Sequence, residues 1–307
     1  MSGPYTFLFG EETMTQNIDT RICDYEGSDY RTRFWEGQGR DYEDQVERGV
    51  LKQLLPKQGK RLLEIGAGFG RLTNEYHAYK QVVLLDYSFS QLQYAREKLG
   101  DGRYLYVAAD AYHLPFIGGA FDGATMIRVL HHFEHVPAVM QAIRYILAPQ
   151  ATFILEFANK RNLKALIRHR LGRQPWNPET LDPVEFVELN YNFHPTYIEQ
   201  QLKQAGFTTD ERIPVSFLRS GLLKRTLPTG LMVGVDRLLQ KTGSLVAPSI
   251  FTRNQTVGES PDQTDVADLF ACPQTGAVLR REGETLVNPD GLRWAIRDGI
   301  YDFKQPL

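Results

Sequence analysis

Residues 62–73 read Leu-Leu-Glu-Ile-Gly-Ala-Gly-Phe-Gly-Arg-Leu-Thr, an apolar strand that runs into a glycine-rich turn and then a helix. Glycine lacks a Cβ and tolerates positive φ, so a ligand can approach the bare backbone of such a turn. The helix that follows offers free amide N–H groups and the positive end of its dipole. A second apolar strand, residues 82–85, ends in Asp86, which is placed to accept both hydroxyls of a ribose. Together these features predict a site for a nucleoside-containing cofactor.

Three further apolar strands follow along the chain. The third, residues 104–107, ends at Ala108-Ala109-Asp110-Ala111, and the fourth, residues 121–127, is followed by Arg128-Val129-Leu130-His131-His132-Phe133. A fifth strand covers residues 152–157. Strands that alternate with helices indicate a parallel sheet with helices on both faces, and nearly unbroken apolar strands indicate burial on both sides.

This ordered set of motifs resembles the class I S-adenosylmethionine-dependent methyltransferases, in the type 11 branch. The resemblance covers residues 40–160 with specific motifs and extends more loosely to residue 253. It implies an α/β fold with a Rossmann-like, doubly wound, seven-stranded and mostly parallel sheet, and S-adenosylmethionine as the cofactor. The cofactor-binding residues that it implies lie in the glycine turn and after the next three strands: Glu64, Gly66, Ala67, Gly68, Gly70, Asp86, Tyr87, Asp110, Ala111 and Arg128.

Each motif of the family has a role toward the cofactor. The glycine loop passes under the methionine part, the acid after the second strand (Asp86) holds the ribose, and the acid after the third (Asp110) meets the adenine amino group. Tyr87 is placed to stack on adenine. Gly70 comes one position earlier than the third glycine of the dinucleotide fingerprint. This spacing favours S-adenosylmethionine over NAD, because S-adenosylmethionine has no pyrophosphate to seat on the helix.

The chemistry needs alignment more than a dedicated base, because the methyl group on a sulfonium is already activated. Positioning alone contributes roughly 7–11 kcal/mol. The candidate bases are His131 and His132, which follow the fourth strand near where the methyl group points; a purely structural role is the alternative. No Asn-Pro-Pro-aromatic motif stands after the fourth strand, which disfavours a planar nitrogen. We therefore expect methyl transfer to an O, C or amine N atom of a small or lipid-like acceptor.

Composition is that of an ordinary globular protein. The chain has 307 residues, 42% of them hydrophobic, and a formal net charge of −2, which gives no overall attraction to nucleic acid or anionic membrane. It has no apolar run near 18 residues and no signal-peptide pattern, so we expect no membrane span and a cytoplasmic location. The two cysteines, Cys23 and Cys272, do not make a disulfide framework.

The order of segments predicts a lid, a catalytic domain and an acceptor region. Residues 1–40 are expected to form an N-terminal lid, in which Tyr30, Phe34 or Trp35 either contacts cofactor or substrate or packs against the next helix. Residues 41–253 form the methyltransferase domain. Within it, residues 159–193 are the predicted acceptor site, because ligands bind at the carboxyl end of open α/β sheets.

The C-terminal part of the chain has a different character. Residues 254–265 are polar and are expected to be a linker, followed by a small α+β domain at residues 266–307. That domain resembles the small zinc-ribbon-like activators of translation-related methyltransferases, most specifically in its Ile-Arg-Asp-Gly-Ile stretch. Zinc needs four ligands, but Thr275 stands where a partner of Cys272 would lie. We therefore expect the zinc ligands to be lost and no metal to be bound.

Two other functions stay open. The C-terminal resemblance and the basic segment 160–173 fit a methyltransferase of RNA or of a translation protein, although the absence of the planar-nitrogen motif makes nucleic acid the less favoured partner. A non-catalytic subunit that binds a protein partner through its C-terminal domain is the other alternative. The intact glycines and Asp86 argue against it.

Overall fold

The computed structural model describes residues 21–28, 35 and 39–307. Its strands are, in chain order, β1 Gly59–Ile65, β2 Tyr79–Asp86, β3 Tyr104–Ala108, β4 Phe121–Met126, β5 Leu147–Ala158, β6 Val184–Val187, β7 Asn190–Asn192, β8 Phe207–Val215, β9 Ser249–Thr256, β10 Arg280–Glu282, β11 Thr285–Val287, β12 Arg293–Arg297 and β13 Ile300–Asp302. Its α-helices are α1 Asp41–Leu54, α2 Phe89–Leu99, α3 Val136–Ile146, α4 Leu163–Arg170, α5 Pro195–Gln204, α6 Gly221–Thr226 and α7 Thr229–Gln240.

The predicted seven-stranded sheet is confirmed. Its strands lie in the order β3-β2-β1-β4-β5-β9-β8, with parallel pairing from β3 to β5 and antiparallel pairing of β9 with both neighbours. The order reverses beside β1, between β2 and β4. Such a switch point opens a crevice at the carboxyl ends of the strands. The ends of β1, β2 and β4 therefore meet where the sequence places the cofactor.

Two apolar cores cover the two faces of this sheet. Leu63 and Val83 belong to one core, which α3 completes, whereas Leu62 and Val82 belong to the other, which α1 and α7 complete. Neighbouring residues of a strand point to opposite faces. This is why the central strands are apolar along their length rather than alternating.

The C-terminal residues continue the same sheet. β10 to β13 form an antiparallel meander whose last strand pairs in parallel with β3, so the sheet has eleven strands among the described residues. Phe303 N donates to Ala108 O at 2.7 Å just beyond this pairing. Residues 266–307 contain no helix, so the predicted α+β class is wrong for this piece.

The expected boundary between domain and linker also shifts. β9 runs to Thr256, and Asn254 is fully buried and donates to Phe153 O at 3.0 Å. Residues 254–256 thus complete a sheet strand instead of starting a linker. The polar side chains of these residues suggested exposure, but Asn254 and Thr256 are buried and hydrogen-bonded to the backbone of β5.

No helix in the described parts of the chain is long and apolar enough to cross a membrane.

Phe270 links the C-terminal meander to the main domain. Its ring lies 5.8 Å from that of Phe116, 4.5 Å from Tyr301 and 5.4 Å from Phe303, measured between centroids, and its side chain is buried. Phe270→Ala is therefore expected to lower the free energy of unfolding by about 3–5 kcal/mol. Urea denaturation measures the change, with the half-exposed Val278→Ala as control. A loss no larger than that of the control would show that the meander contributes little to stability.

Candidate cofactor-binding and active site

The turn after β1 is tied to the end of β2. Gly66 N and Ala67 N both donate to Leu85 O, at 2.8 and 3.0 Å. Gly66 has φ +68°, and a Cβ there would lie 2.2 Å from Val129 Cγ2. Gly68 has φ +52°, and a Cβ there would meet nothing closer than an Asp86 oxygen at 4.0 Å. Gly66 thus permits the packing of the turn, and the open space at Gly68 fits a ligand that passes over bare backbone.

Asp86 is held by the same turn. Gly68 N donates to its Oδ2 at 2.7 Å and Ser88 N donates to its Oδ1 at 2.9 Å. Burial raises the pKa of Asp86 to about 6, although these two hydrogen bonds lower it. The carboxylate is therefore fixed in orientation before any ribose reaches it.

An open cleft with an empty volume of about 790 Å³ lies at this point of the sheet. Seven of the predicted cofactor residues line it: Gly66, Gly68, Asp86, Tyr87, Asp110, Ala111 and Arg128. Its size is suited to a small-molecule ligand. The crossover connections bring these residues together from the ends of β1, β2, β3 and β4.

The predicted adenine end of the cleft is built around Asp110. Tyr112 N donates to its Oδ1 at 2.9 Å, and its Oδ2 lies 2.8 Å from His113 Nδ1. A carboxylate has further acceptor positions beyond these two bonds. Tyr112 also lines the cleft and its hydroxyl accepts from His135 N at 3.1 Å. Sequence reasoning missed Tyr112, although it stands next to Ala111.

Glu64 and Ala67 line a second, smaller cleft on the other side of the glycine turn, which also reaches Gly66, Gly68 and Arg128. Glu64 accepts from Thr73 Oγ1 at 2.6 Å and from the Tyr76 hydroxyl at 3.3 Å. Burial raises the pKa of Glu64 to about 7.

Gly70 is not among the described residues that line either cleft. A Cβ there would lie 3.0 Å from Leu99. Its place is in the packing of the turn against α2.

Arg128 follows β4 and is held by buried carboxylates. Its backbone N, at φ +59°, donates to Glu156 Oε2 at 2.7 Å, and its Nε donates to Glu47 Oε1 at 2.6 Å. Arg71 Nη2 donates to the other oxygen of Glu47 at 2.7 Å. The two arginines lower the pKa of Glu47 against the effect of its burial. Glu47 therefore joins α1 to both the glycine turn and the turn after β4.

Sequence reasoning missed Glu47, but the pattern of α1 contained a signal. Glu43, Glu47, Val50 and Leu54 are spaced as one helix face, and all four are buried. An acid on the buried face of an amphipathic helix requires a cationic partner. Lys224 and Arg219 approach Glu43, as Arg71 and Arg128 approach Glu47.

The two candidate bases occupy different places. His132 lines the cleft, and its Nδ1 lies 2.9 Å from Leu189 O. A carbonyl only accepts, so Nδ1 carries the proton and Nε2 accepts from the Tyr25 hydroxyl at 3.2 Å. Burial lowers the pKa of His132, which keeps the ring neutral. His131 is not among the described residues that line the cleft, and burial lowers its pKa well below the usual value.

Residues 21–28 lie over the cleft, and Arg21, Ile22, Cys23 and Tyr25 line it. Glu26 Oε2 accepts from Phe89 N at 2.6 Å, which attaches the segment to the start of α2. Arg21 attaches the other end of this segment by donating to Glu134 Oε2 and to the Tyr191 hydroxyl.

The predicted aromatic contacts of the lid lie further along the chain. Tyr30 and Phe34 lie outside the described residues. Trp35 is buried, lines the second cleft and stacks on the Arg71 guanidinium at 3.8 Å. Trp35 therefore lies beside the glycine turn and Arg128, and its contact with cofactor or substrate stays a prediction.

No residue of the segment 159–193 is among the described residues that line the cleft, but its β6–β7 hairpin is hydrogen-bonded to two residues that do, His132 and Arg21. Leu189 O accepts from His132 at the hairpin turn, and the Tyr191 hydroxyl accepts from Arg21 at 3.0 Å. Lys160 is fully buried and donates to Thr180 Oγ1 at 2.8 Å, which closes the loop between α4 and β6. The predicted acceptor region thus contacts both His132 and the segment 21–28.

Among the described residues, no group of three or more His, Cys, Asp and Glu side chains is arranged to hold a metal ion.

The raised pKa of Asp86 predicts a pH-dependent affinity for S-adenosylmethionine. Ribose hydroxyls donate to the carboxylate form, so affinity is expected to fall as the pH falls through about 6. Asp86→Ala is expected to lose about 1.5–3 kcal/mol of binding free energy and this pH dependence. Calorimetric titration with S-adenosylmethionine and S-adenosylhomocysteine measures both, with the exposed Asp268→Ala as control. Equal affinity of Asp86→Ala and wild type would exclude the ribose assignment.

Comparison with known proteins identifies a methyltransferase domain within the chain. Residues 63–155 match the protein family described as "Methyltransferase domain". O-methyltransferase cnsE of Penicillium expansum is 32% identical over 120 residues, which are 36% of this chain and 43% of that protein. The ubiquinone/menaquinone biosynthesis C-methyltransferase UbiE of Pseudomonas putida is 27% identical over 185 residues, which are 54% of this chain and 71% of that protein. The chain thus spans less than half of the first relative and about seven tenths of the second.

Solved structures show the same fold. A SAM-dependent methyltransferase from Thermotoga maritima superposes with a TM-score of 0.51 at 16% identity, covering 71% of this chain and 90% of that one. A chain from the complex between the Haloferax volcanii Trm112 methyltransferase activator and a methyltransferase superposes with a TM-score of 0.52 at 15% identity, covering 73% and 95%. Residues 63–155 therefore form a methyltransferase domain, and this domain has a Rossmann-like fold.

Proposed function

We propose that this chain transfers the methyl group of S-adenosylmethionine to an O, C or amine N atom of a small or lipid-like acceptor. The observation that carries the proposal is the position of His132. Its unprotonated Nε2 lies at the wall of the cofactor cleft, where residues 21–28 and the β6–β7 hairpin meet. This arrangement supports a reaction site that is closed on two sides by the chain's own segments.

The bound cofactor supplies a methyl group on a positively charged sulfur, which leaves the protein to bind, align and exclude water. Asp86 and Asp110 would hold the ribose and adenine ends, and the backbone at Gly68 would pass beneath the cofactor. Arg21 ties the covering segment to the hairpin through the Tyr191 hydroxyl and, at 2.9 Å, to Glu134. Positioning of this kind contributes roughly 7–11 kcal/mol to the lowering of the barrier.

Proton removal is the one further step that some acceptors need. An acceptor O–H that takes the place of the Tyr25 hydroxyl at His132 Nε2 would donate to that nitrogen. The bond from Nδ1–H to Leu189 O keeps Nε2 free to accept a proton. His132 is therefore the proposed general base for acceptors that lose a proton, and a carbon acceptor needs only the alignment.

The lining of the cleft favours an acceptor with apolar character. Ile22, Val129 and Phe133 line it beside the polar cofactor residues. The names of the two relatives describe an O-methyltransferase and a C-methyltransferase of ubiquinone and menaquinone biosynthesis. Both support a small-molecule acceptor for this chain and leave its identity to experiment.

We further propose that residues 266–307 act as a built-in counterpart of the activator proteins that they resemble. β13 extends the edge strand β3, and Lys304 Nζ lies 5.3 Å above the Tyr87 ring and 3.8 Å from Glu26 Oε2. The C-terminal residues thus contact both the predicted adenine wall and the segment over the cleft. In this proposal no separate activator protein is needed at this surface.

The hydrogen bonds of Cys272 support the proposed loss of zinc. Cys272 is buried, and its sulfur accepts from Thr275 N at 3.3 Å and from Asn288 Nδ2 at 3.9 Å. These hydrogen bonds and the aromatic cluster around Phe270 would hold the turn without a metal. Free thiols at Cys23 and Cys272 also support the proposal of a reducing compartment such as the cytoplasm.

Radiolabelled S-adenosylmethionine tests the acceptor class. Phenols, quinols, amines and detergent-dispersed lipids are offered in parallel with RNA, and label in each extracted product is counted. We expect transfer to a small or lipid-like acceptor. Transfer to RNA or a translation protein alone would favour the alternative function.

His132→Asn tests the base. With an oxygen acceptor, kcat is expected to fall by about 10²–10⁴-fold while cofactor affinity is retained. His77→Asn, at an exposed histidine, is the matched control. The wild-type rate should decline only below the ordinary pKa of histidine, because burial lowers the pKa of His132. An unchanged kcat for His132→Asn would assign this residue a structural role.

Lys304→Ala tests the contribution of the C-terminal residues. The contact of Lys304 with the Tyr87 ring is worth about 0.5–1 kcal/mol and holds that ring in its proposed cofactor-binding position, so its loss is expected to raise the dissociation constant for S-adenosylmethionine by up to about two- to five-fold. Calorimetric titration of the full chain measures it. Arg280→Ala, at an exposed site of the same meander, is the control. If both variants bind as wild type does, the C-terminal residues do not assist the cofactor site.

A further inference from the structure

Exposed apolar side chains are concentrated in two segments of this chain. Ten of the fifteen large apolar residues that are exposed in the described part lie within residues 159–193 and 217–241. The first segment follows β5 and the second follows β8. The last residues of these strands, Ala158 and Val215, both pair with Ser249. Both segments therefore leave the sheet at one edge, the edge that carries the cofactor cleft.

Helix α4 presents the clearest apolar stripe. Leu163, Ile167 and Leu171 are 54%, 51% and 59% exposed and recur every four residues. On a helix this spacing places them on one face. Ala165 is buried on the opposite side, which fixes α4 to the domain with its apolar stripe turned outward. A surface helix of a globular protein normally turns its apolar stripe toward the core and its polar side chains outward.

Basic side chains flank that stripe. Lys164 and Arg168 lie on one side of it and Arg170 on the other, all three exposed, and Arg173 follows. Eight Lys and Arg side chains of residues 159–173 and 217–241 are exposed, and the one acid in these two stretches, Asp236, is buried, in a chain whose net charge is −2. The positive charge of the protein is thus concentrated where its apolar side chains are exposed.

Helices α6 and α7 repeat the combination. Leu222 and Leu231 are exposed, as are Arg225 and Arg237. The hairpin tip also exposes Phe186 and Val187, but Glu185 and Glu188 flank them. We therefore leave the tip out and define the basic apolar face as α4 with Leu171 and Arg173; α6 and α7 carry a second surface of the same character.

We propose that the basic apolar face binds the surface of an anionic lipid bilayer. Amphipathic helices with basic flanks lie in the interface, with apolar side chains among the acyl chains and cations at the headgroups. RNA is the less favoured occupant, since aliphatic side chains give bases nothing to stack on. The proposal extends the proposed function, because a lipid-like acceptor would then reach the cleft along the edge that meets the bilayer.

Vesicle sedimentation tests this without methyl transfer, so it can fail or succeed independently of the proposed activity. The full chain is spun with vesicles of phosphatidylcholine alone or of phosphatidylcholine mixed with phosphatidylglycerol. We expect binding to the mixed vesicles, weakened by salt, and little to phosphatidylcholine. Arg168→Glu/Arg170→Glu should weaken binding about 30-fold or more. Ile167→Ser/Leu171→Ser should weaken it several-fold.

Matched controls change the same charge or the same apolar area elsewhere. Lys57→Glu/Arg280→Glu and Val278→Ser/Leu307→Ser alter exposed residues outside the basic apolar face and should bind as wild type does. Circular dichroism establishes that each variant is folded.

Three outcomes would overturn the proposal. The first is no binding of wild type to mixed vesicles. The second is equal loss in the face variants and their controls. The third is tighter binding of wild type to a fluorescein-labelled single-stranded RNA than to vesicles, together with unchanged RNA affinity of Ile167→Ser/Leu171→Ser. That result would make the face a nucleic-acid site.

Discussion

The hydrogen bonds from Gly66 and Ala67 to the carbonyl of Leu85 are the constraint on which the site depends. They fold the chain back over the end of β2 as soon as β1 ends, and this brings Gly68 N to Asp86. Without them, the glycine turn and Asp86 would lie at the ends of two neighbouring strands with no fixed distance between them. The positive φ of Gly66 and its close contact with Val129 extend the same constraint to the turn after β4.

Buried charge connects this turn to the rest of the domain. Glu47 of α1 accepts from Arg71 and Arg128, so one carboxylate holds both turns that border the two clefts. A buried ion pair is costly to desolvate and adds little stability compared with apolar packing. Its value here is positional, because the paired groups have few other satisfied arrangements. The same reasoning applies to Glu156, which holds the backbone of Arg128.

The C-terminal meander pairs with β3, the edge strand of the main sheet. β3 would otherwise present unpaired backbone groups at the side of the sheet, and β13 covers it. This pairing places Lys304 beside Tyr87 and Glu26, so a segment about 200 residues away in sequence becomes part of the cleft's surroundings. Aromatic contacts around Phe270 and Trp294 hold the meander together.

The amino-acid sequence alone predicts the alternation of strands and helices in the central domain, the glycine turn and the positions of Asp86 and Asp110 at strand ends. These features depend on local backbone geometry and on strand ends that a parallel sheet must bring together. The long-range contacts around these features depend on the tertiary structure. The partners of Glu47, the bond from His132 to Leu189 and the attachment of β13 to β3 all join residues far apart in the chain. No local periodicity encodes such pairings, since each depends on how whole segments pack at the edge of the sheet.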